Sequence, residues 1–253
     1  MKKLLLILFV AASCVTLWSQ KIDKSSKAAS ANEDRNFRIP LIGEKAPSFT
    51  AESTNGTINF PEDFGHKWKI LFSHPKDFTP VCSTEILELA HLQDQFNQMG
   101  VKLVVVSTDR LETHVQWKKA LEMVKLDNRD LVKIKFPLID DENIAVAKMY
   151  GMIHPETNST RSVRGVFIID PDNIIQAIYF YPMNIGRSTD ELLRMVAALQ
   201  LSSKDKVLTP VNWKEGKDVL VKTPPKTVGN SQASEMAGYY NPAWFLWFKK
   251  TTN

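Results

Sequence analysis

Short apolar runs alternate with longer amphipathic stretches along most of this chain, and the alternation predicts the order of its elements. W-K-I-L-F, residues 68–72, reads as a buried strand. The amphipathic stretch S-T-E-I-L-E-L-A-H-L-Q-D-Q-F that follows a loop reads as a helix running to about Met99 and stopped by Gly100. V-K-L-V-V-V-S is β-branched and reads as a second strand. Residues 111–124 predict a helix with Trp117 and Leu121 on one face. F-P-L-I-D-D predicts a short strand and its exit, and residues 143–150 a helix ending at Gly151. V-R-G-V-F-I-I-D and I-I-Q-A-I-Y-F-Y predict two strands joined by a hairpin at Pro171-Asp172-Asn173. A last helix spans Thr189 to Leu201, with Asp190 and Glu191 in its first turn. Nearer the start, Asn55-Gly56 marks another hairpin turn. Strands alternating with helices, plus a late hairpin, imply an α/β fold with a mixed central sheet flanked by helices.

The two ends break this pattern. M-K-K followed by L-L-L-I-L-F-V-A-A reads as a signal peptide or N-terminal anchor over residues 1–19. A cleaved signal is the first reading, a lipid anchor on Cys14 the second and an uncleaved anchor the third. Each implies an exported protein, periplasmic or held by its N-terminus at a membrane facing outside the cytoplasm. Residues 20–38 are small and polar and read as a flexible linker. The main domain is expected over 39–203 and an extension over 204–253. The tail G-Y-Y-N-P-A-W-F-L-W-F-K-K is dense in aromatics. It reads as a terminal strand packing on a neighbouring chain, or alternatively as a membrane-interface contact.

Charge narrows the partners. A net charge of +4 over 253 residues, with no long basic run, gives no case for nucleic acid. Of the two cysteines, Cys14 lies in the presumptive signal, so Cys82 is the sole free thiol of the mature chain. A single cysteine forms no intrachain disulfide, and any oxidised form of it needs an external reductant. His66, His91, His114 and His154 show no H-x-x-x-H spacing, and there is no C-x-x-C, so neither a metal nor another cofactor is expected.

Cys82 sits where a strand ends, a Pro-punctuated loop turns and a helix begins. Unpaired N–H groups and the positive end of the helix dipole favour a thiolate there, and the thiolate is the reactive form. Pro75 and Pro80 stiffen the loop. Thr79, three residues before Cys82, brings a hydroxyl near the sulfur. Glu85, three residues after it, lies one helical turn on and can hold a cation beside the site. The competing reading makes Cys82 a small buried hydrophobe.

P-x-x-x-T-x-x-C, here Pro75, Thr79 and Cys82, resembles the active-site signature of the peroxiredoxins of the AhpC/TSA family. The fuller string S-H-P-K-D-F-T-P-V-C-S-T-E resembles the one-cysteine subgroup, and the similarity extends over roughly residues 40–225. I-P-L-I-G-E-K-A-P-S-F also looks like the entry segment of thioredoxin-like proteins. The resemblance implies a thioredoxin-like fold and a small C-terminal extension that helps form a homodimer or higher homo-oligomer. It implies a thiol-dependent peroxidase that reduces hydrogen peroxide and alkyl hydroperoxides. Cys82 becomes a sulfenic acid and is re-reduced by an external thiol.

By the same resemblance Arg164 is the catalytic arginine, with Arg161 competing on sequence alone. Arg187 and Glu85 support it, and His74 bonds the sulfur or tunes its protonation. Some one-cysteine relatives carry a G-x-S-x-G-like elbow linked to phospholipid hydrolysis. Here the segment is G-H-K-W-K with Lys67 at the serine position, so no serine lipase activity is expected. A thiol redox sensor, and a holdase or binding protein on the same fold, are the alternatives. A pure binding module has no need of the set Pro75, Thr79, Cys82 and Arg164.

Overall fold

The computed structural model describes residues 38–222 and 238–251. The expected signal (including Cys14), most of the linker and the segment 223–237 lie outside the described residues.

A five-stranded sheet in the order β5-β4-β3-β6-β7 forms the centre. Its strands are β3 (Trp68–Ser73), β4 (Val101–Ser107), β5 (Leu138–Asp140), β6 (Arg164–Ile169) and β7 (Ile175–Tyr181). β3 pairs in parallel with β4 and β4 with β5, whereas β6 runs antiparallel to both β3 and β7. All six residues of β3 are buried, as a central strand covered on both faces requires. Ile70 and Phe72 point to one face and Leu71 to the other, the period of two expected of a strand.

The first face is covered by α1 (Pro80–Gln98), α2 (Leu111–Leu121) and α4 (Thr189–Asp205), through Ile86, Phe96, Trp117, Leu121 and Val196. The second is covered by α3 (Ala145–Met149) and by the hairpin of β1 (Phe49–Ala51) and β2 (Ile58–Phe60). This is the mixed, helix-flanked sheet the pattern implied and the thioredoxin-like arrangement the resemblance implied, with helices on both faces. α4 runs one turn past the expected end at Leu201 and stops at Lys206, whose φ of 55° is left-handed.

The aromatic tail departs from expectation. It does not end as a single strand awaiting a neighbour. β9 (Tyr239–Ala243) and β10 (Leu246–Lys249) form a hairpin, and β10 pairs with β8 (Val219–Leu220) of the same chain. Pro242, which cannot donate to a ladder, lies on the edge strand β9. Trp247 is buried, Tyr240 stacks on Phe248, and Trp244 and Phe245 are exposed at the hairpin tip. Among the described residues no helix is long and apolar enough to cross a membrane.

Candidate active site

β3 delivers the chain to the loop 74–79, and α1 takes it away with Pro80 in its first turn. Cys82 is the third residue of α1 and is fully buried. Among the described residues it is the one cysteine, and it is free. The first bond of the helix runs from Ser83 N–H to the Thr79 carbonyl at 2.9 Å. The N–H groups of Val81 and Cys82 precede it and have no partner within the helix.

Arg164, at the head of β6, reaches the sulfur. Its Nη1 donates to Cys82 Sγ at 3.3 Å and to Glu85 Oε2 at 2.6 Å. Its Nε and Nη2 both donate to the Met183 carbonyl, at 3.1 and 2.6 Å, which fixes the plane of the guanidinium. Arg187 holds the other side of Glu85, with Nε at 2.8 Å from Oε1 and Nη2 at 2.7 Å from Oε2. Its Nη1 donates to the carbonyls of Ser73 and Gly165, and its guanidinium carbon lies 3.3 Å from the centre of the Phe72 ring. Burial pulls the Arg187 pKa down and the Glu85 carboxylate opposes that shift. A guanidinium nevertheless keeps its charge.

All four side chains of this cluster are buried. Glu85 sets one negative charge against two guanidinium groups, which leaves one positive charge in excess. The Cys82 sulfur lies beside that excess, 3.3 Å from Arg164 Nη1. Buried charge is tolerated only when paired in this way.

Other expected residues stand differently. Thr79 is half-buried, and its hydroxyl donates to the Lys76 carbonyl at 2.8 Å, inside its own loop. Pro75 is buried in the loop. Arg161 stays in a turn, where its N–H donates to Asn158 Oδ1. The His74 ring lies 4.9 Å from that of Trp117, with Nε2 3.5 Å from Asp77 Oδ1. Burial, then the positive charges of His114, Arg187 and Arg164, hold His74 well below its ordinary pKa, so it is a neutral ring. The backbone of His74 has the firmer bonds: its N–H donates to the Val106 carbonyl and its own carbonyl accepts from Ser162 Oγ.

Residues 42–178 match the AhpC/TSA family, and residues 198–231 match the C-terminal domain of 1-Cys peroxiredoxin. A peroxiredoxin of Methanosarcina mazei is 44% identical over 217 residues, which cover 85% of this chain and 99% of the relative. The chain belongs to the peroxiredoxins of the AhpC/TSA family. The solved structure of a yeast mitochondrial 1-Cys peroxiredoxin superposes with a TM-score of 0.72 at 37% identity, covering 84% of this chain and all of the other. A cysteine-to-serine mutant of peroxiredoxin 6 from Arenicola marina superposes with a TM-score of 0.71 at 32% identity, covering 85% of this chain and 99% of that one. As a member of this family the chain is a thiol-dependent peroxidase, an oxidoreductase acting on peroxide at the expense of a thiol.

Several residues that shape this peroxiredoxin site had no signal in the sequence reading. Ser73 Oγ donates to the Val163 carbonyl at 2.7 Å and accepts from Gly165 N–H at 2.8 Å, tying the end of β3 to the start of β6. A Cβ on Gly165 would lie 3.2 Å from that hydroxyl, a tight contact that Ser73 would have to yield to by a few tenths of an ångström. Asp77 and His114 form a buried pair, with Oδ2 2.7 Å from Nδ1. Among the described residues no group of three or more His, Cys, Asp or Glu side chains is arranged to hold a metal.

Proposed function

We propose that Cys82 is the peroxidatic nucleophile and that Arg164 is the cation that holds both the sulfur and the peroxide. The observation that carries this is a single nitrogen, Arg164 Nη1, within bonding distance of the sulfur and of Glu85. The thiolate gives an electron pair to one peroxide oxygen, and the O–O bond breaks. That oxygen stays on sulfur as sulfenic acid, and the other leaves as hydroxide or alkoxide and takes a proton. Arg164 and the free N–H groups at the start of α1 face the charge that develops on oxygen, the placement that lowers such a barrier. Thr79 completes the site by turning its hydroxyl from the Lys76 carbonyl to the peroxide, and Pro75 shapes the loop without adding a donor. Glu85 and Arg187 hold Arg164 in its plane.

The return step uses an external thiol. It attacks the sulfenic sulfur, water leaves, and a second thiol frees Cys82 from the mixed disulfide. The described residues hold no second cysteine to do this from within. The yeast relative's structure is described in terms of glutathione/thioredoxin systems, and a reductant of that chemical class fits here. The extension after α4 supports a homodimer, because it matches the 1-Cys C-terminal domain and carries the exposed pair Trp244 and Phe245. The basic start and apolar run of residues 1–19 support export, and the two separate family matches, 42–178 and 198–231, support a main domain followed by an extension.

Steady-state peroxide consumption with and without dithiothreitol tests the reading. Sustained turnover with the thiol, none without it and none in Cys82→Ser is the expected result. Turnover that survives Cys82→Ser removes it.

A further inference from the structure

The loop that carries the active site has one strained residue. Phe78, between Asp77 and Thr79, has a φ of 55° and a side chain that is 56% exposed. A bulky residue in the left-handed region is an outlier, and it persists only where its surroundings over-determine it. The Phe78 ring lies 6.5 Å from that of Trp117 but is more than half exposed, so much of the restraint comes from its neighbours in the chain. Thr79 on one side is the N-cap of α1. Asp77 on the other side is buried and held at several points.

The Asp77 N–H donates to Asp109 Oδ2 at 2.8 Å, and Asp109 Oδ2 also accepts from Ser107 Oγ at 3.0 Å. Asp77 Oδ2 lies 2.7 Å from His114 Nδ1, and His114 Nε2 lies 3.0 Å from the Ile139 carbonyl. The loop is thereby tied to the end of β4, to α2 and to β5. We propose that Asp77 and His114 are a positioning pair for the peroxidatic site, whose bond keeps Phe78 left-handed and so presents Thr79 and the first turn of α1 to the peroxide. The inference rests on Cys82 being the peroxidatic group.

The geometry also fixes how many protons the pair carries. A carbonyl oxygen only accepts, so His114 Nε2 holds a proton toward Ile139. A second proton lies between Nδ1 and Asp77 Oδ2. The pair therefore holds two protons and is neutral overall. Loss of either proton sets a nitrogen lone pair against an oxygen lone pair at bonding distance, and one bond of the latch breaks.

The facing groups keep the protons in place. His74 comes from the loop and is neutral, Asp109 and Ser107 come from the end of β4, Trp117 from α2 and the Ile139 carbonyl from β5. Arg164 and Arg187 act on His74 from β6 and from the turn before α4. Burial lifts Asp77 above the usual carboxylate range, although its bond to His114 opposes this. Burial alone would lower His114, but the bond to Asp77, its charge and the Ile139 carbonyl outweigh it and raise the ring above its ordinary value. Both directions favour the protonated form of each group.

The test is the rate of Cys82 oxidation by hydrogen peroxide, followed by stopped flow against pH for the wild type, Asp77→Ala and Asp77→Asn. An asparagine at 77 can donate to Nδ1 of a neutral His114 while Nε2 still donates to Ile139, so it keeps the latch without the proton that the wild-type pair loses on the alkaline side. Asp77→Ala is expected to oxidise about tenfold or more slowly at all pH, the cost of misplacing groups around a reacting centre. Asp77→Asn is expected to recover most of that loss. The wild-type rate is expected to fall on the alkaline side, and Asp77→Asn to lack that fall. A wild-type rate in Asp77→Ala, or identical pH profiles for the wild type and Asp77→Asn, overturns the inference and leaves the peroxidase reading standing. If Asp77→Ala does not fold, the comparison of the other two profiles decides. A wild type that does not react with peroxide removes the peroxidase reading itself.

Discussion

Arg164 Nη1 lies 3.3 Å from Cys82 Sγ and 2.6 Å from Glu85 Oε2, so one nitrogen joins the reactive sulfur to its counter-carboxylate. Nε and Nη2 of the same guanidinium each donate to the Met183 carbonyl. A lysine reaches one of these acceptors at a time and has no fork to hold the rest. Arg164→Lys is therefore expected to slow Cys82 oxidation by hydrogen peroxide about 100-fold or more, the range seen when a preorganised donor to a developing oxyanion is removed. Stopped-flow measurement of the second-order rate constant checks this, and a loss under about threefold would contradict the role given to the fork.

Glu85 accepts from both arginines and from the Arg187 N–H, and among the described residues no other carboxylate is bonded to them. Glu85→Gln leaves two buried guanidinium groups facing an amide. Breaking a buried pair on one side costs about 3–5 kcal/mol, because the remaining charge stays uncompensated. Urea unfolding at pH 7 should show a loss of that order. A loss below about 1 kcal/mol would mean that water already reaches the cluster and screens it.

Asp141 gives a pH dependence with a definite sign. It is buried, and its carboxylate accepts from the N–H groups of Val146 and Ala147 at the start of α3. Burial outweighs these bonds and raises its pKa from 3.8 to about 6. A carboxyl with a higher pKa folded than unfolded binds more protons in the native state, so its contribution to stability falls as pH rises from about 4 to about 6. Asparagine at 141 does not titrate. The stability of Asp141→Asn relative to the wild type should therefore rise across that window and level off above it. Thermal melts of both proteins at a series of pH values would show this, and a flat difference would place the titration elsewhere.

Much of the site was legible because it is local. Pro75, Thr79, Cys82 and Glu85 fall within one strand–loop–helix passage, where i, i+3 spacing on a helix sets neighbours directly. Arg164 and Arg187 were assigned through resemblance, and both lie on Glu85. The Asp77–His114 pair was not legible, since its members are 37 residues apart and meet only when α2 packs beside the loop. His74 was expected to bond the sulfur or tune its protonation, and nothing in the sequence signalled the contacts its ring makes with Trp117 and Asp77 through that same packing.

The fold shows the same division between local pattern and remote contact. Apolar periodicity placed the strands and helices of the central sheet to within a few residues. Lys69, polar in an otherwise apolar strand, is buried because Asn173 and the Asp170 carbonyl accept from its ammonium group across the sheet. The pairing of the tail within the chain was not legible because its partner, β8, is only two residues long and carries no pattern of its own.

The central claim is that the Cys82 sulfur takes an oxygen from peroxide. Intact-mass and peptide mass spectrometry of the reduced protein after one equivalent of hydrogen peroxide, trapped with dimedone, measures that event directly. The expected result is a single dimedone adduct on the peptide containing Cys82, formed in proportion to the peroxide consumed and absent from Cys82→Ser. Peroxide that disappears with Cys82 unlabelled, or a Cys82 that stays reduced while peroxide persists, would contradict it.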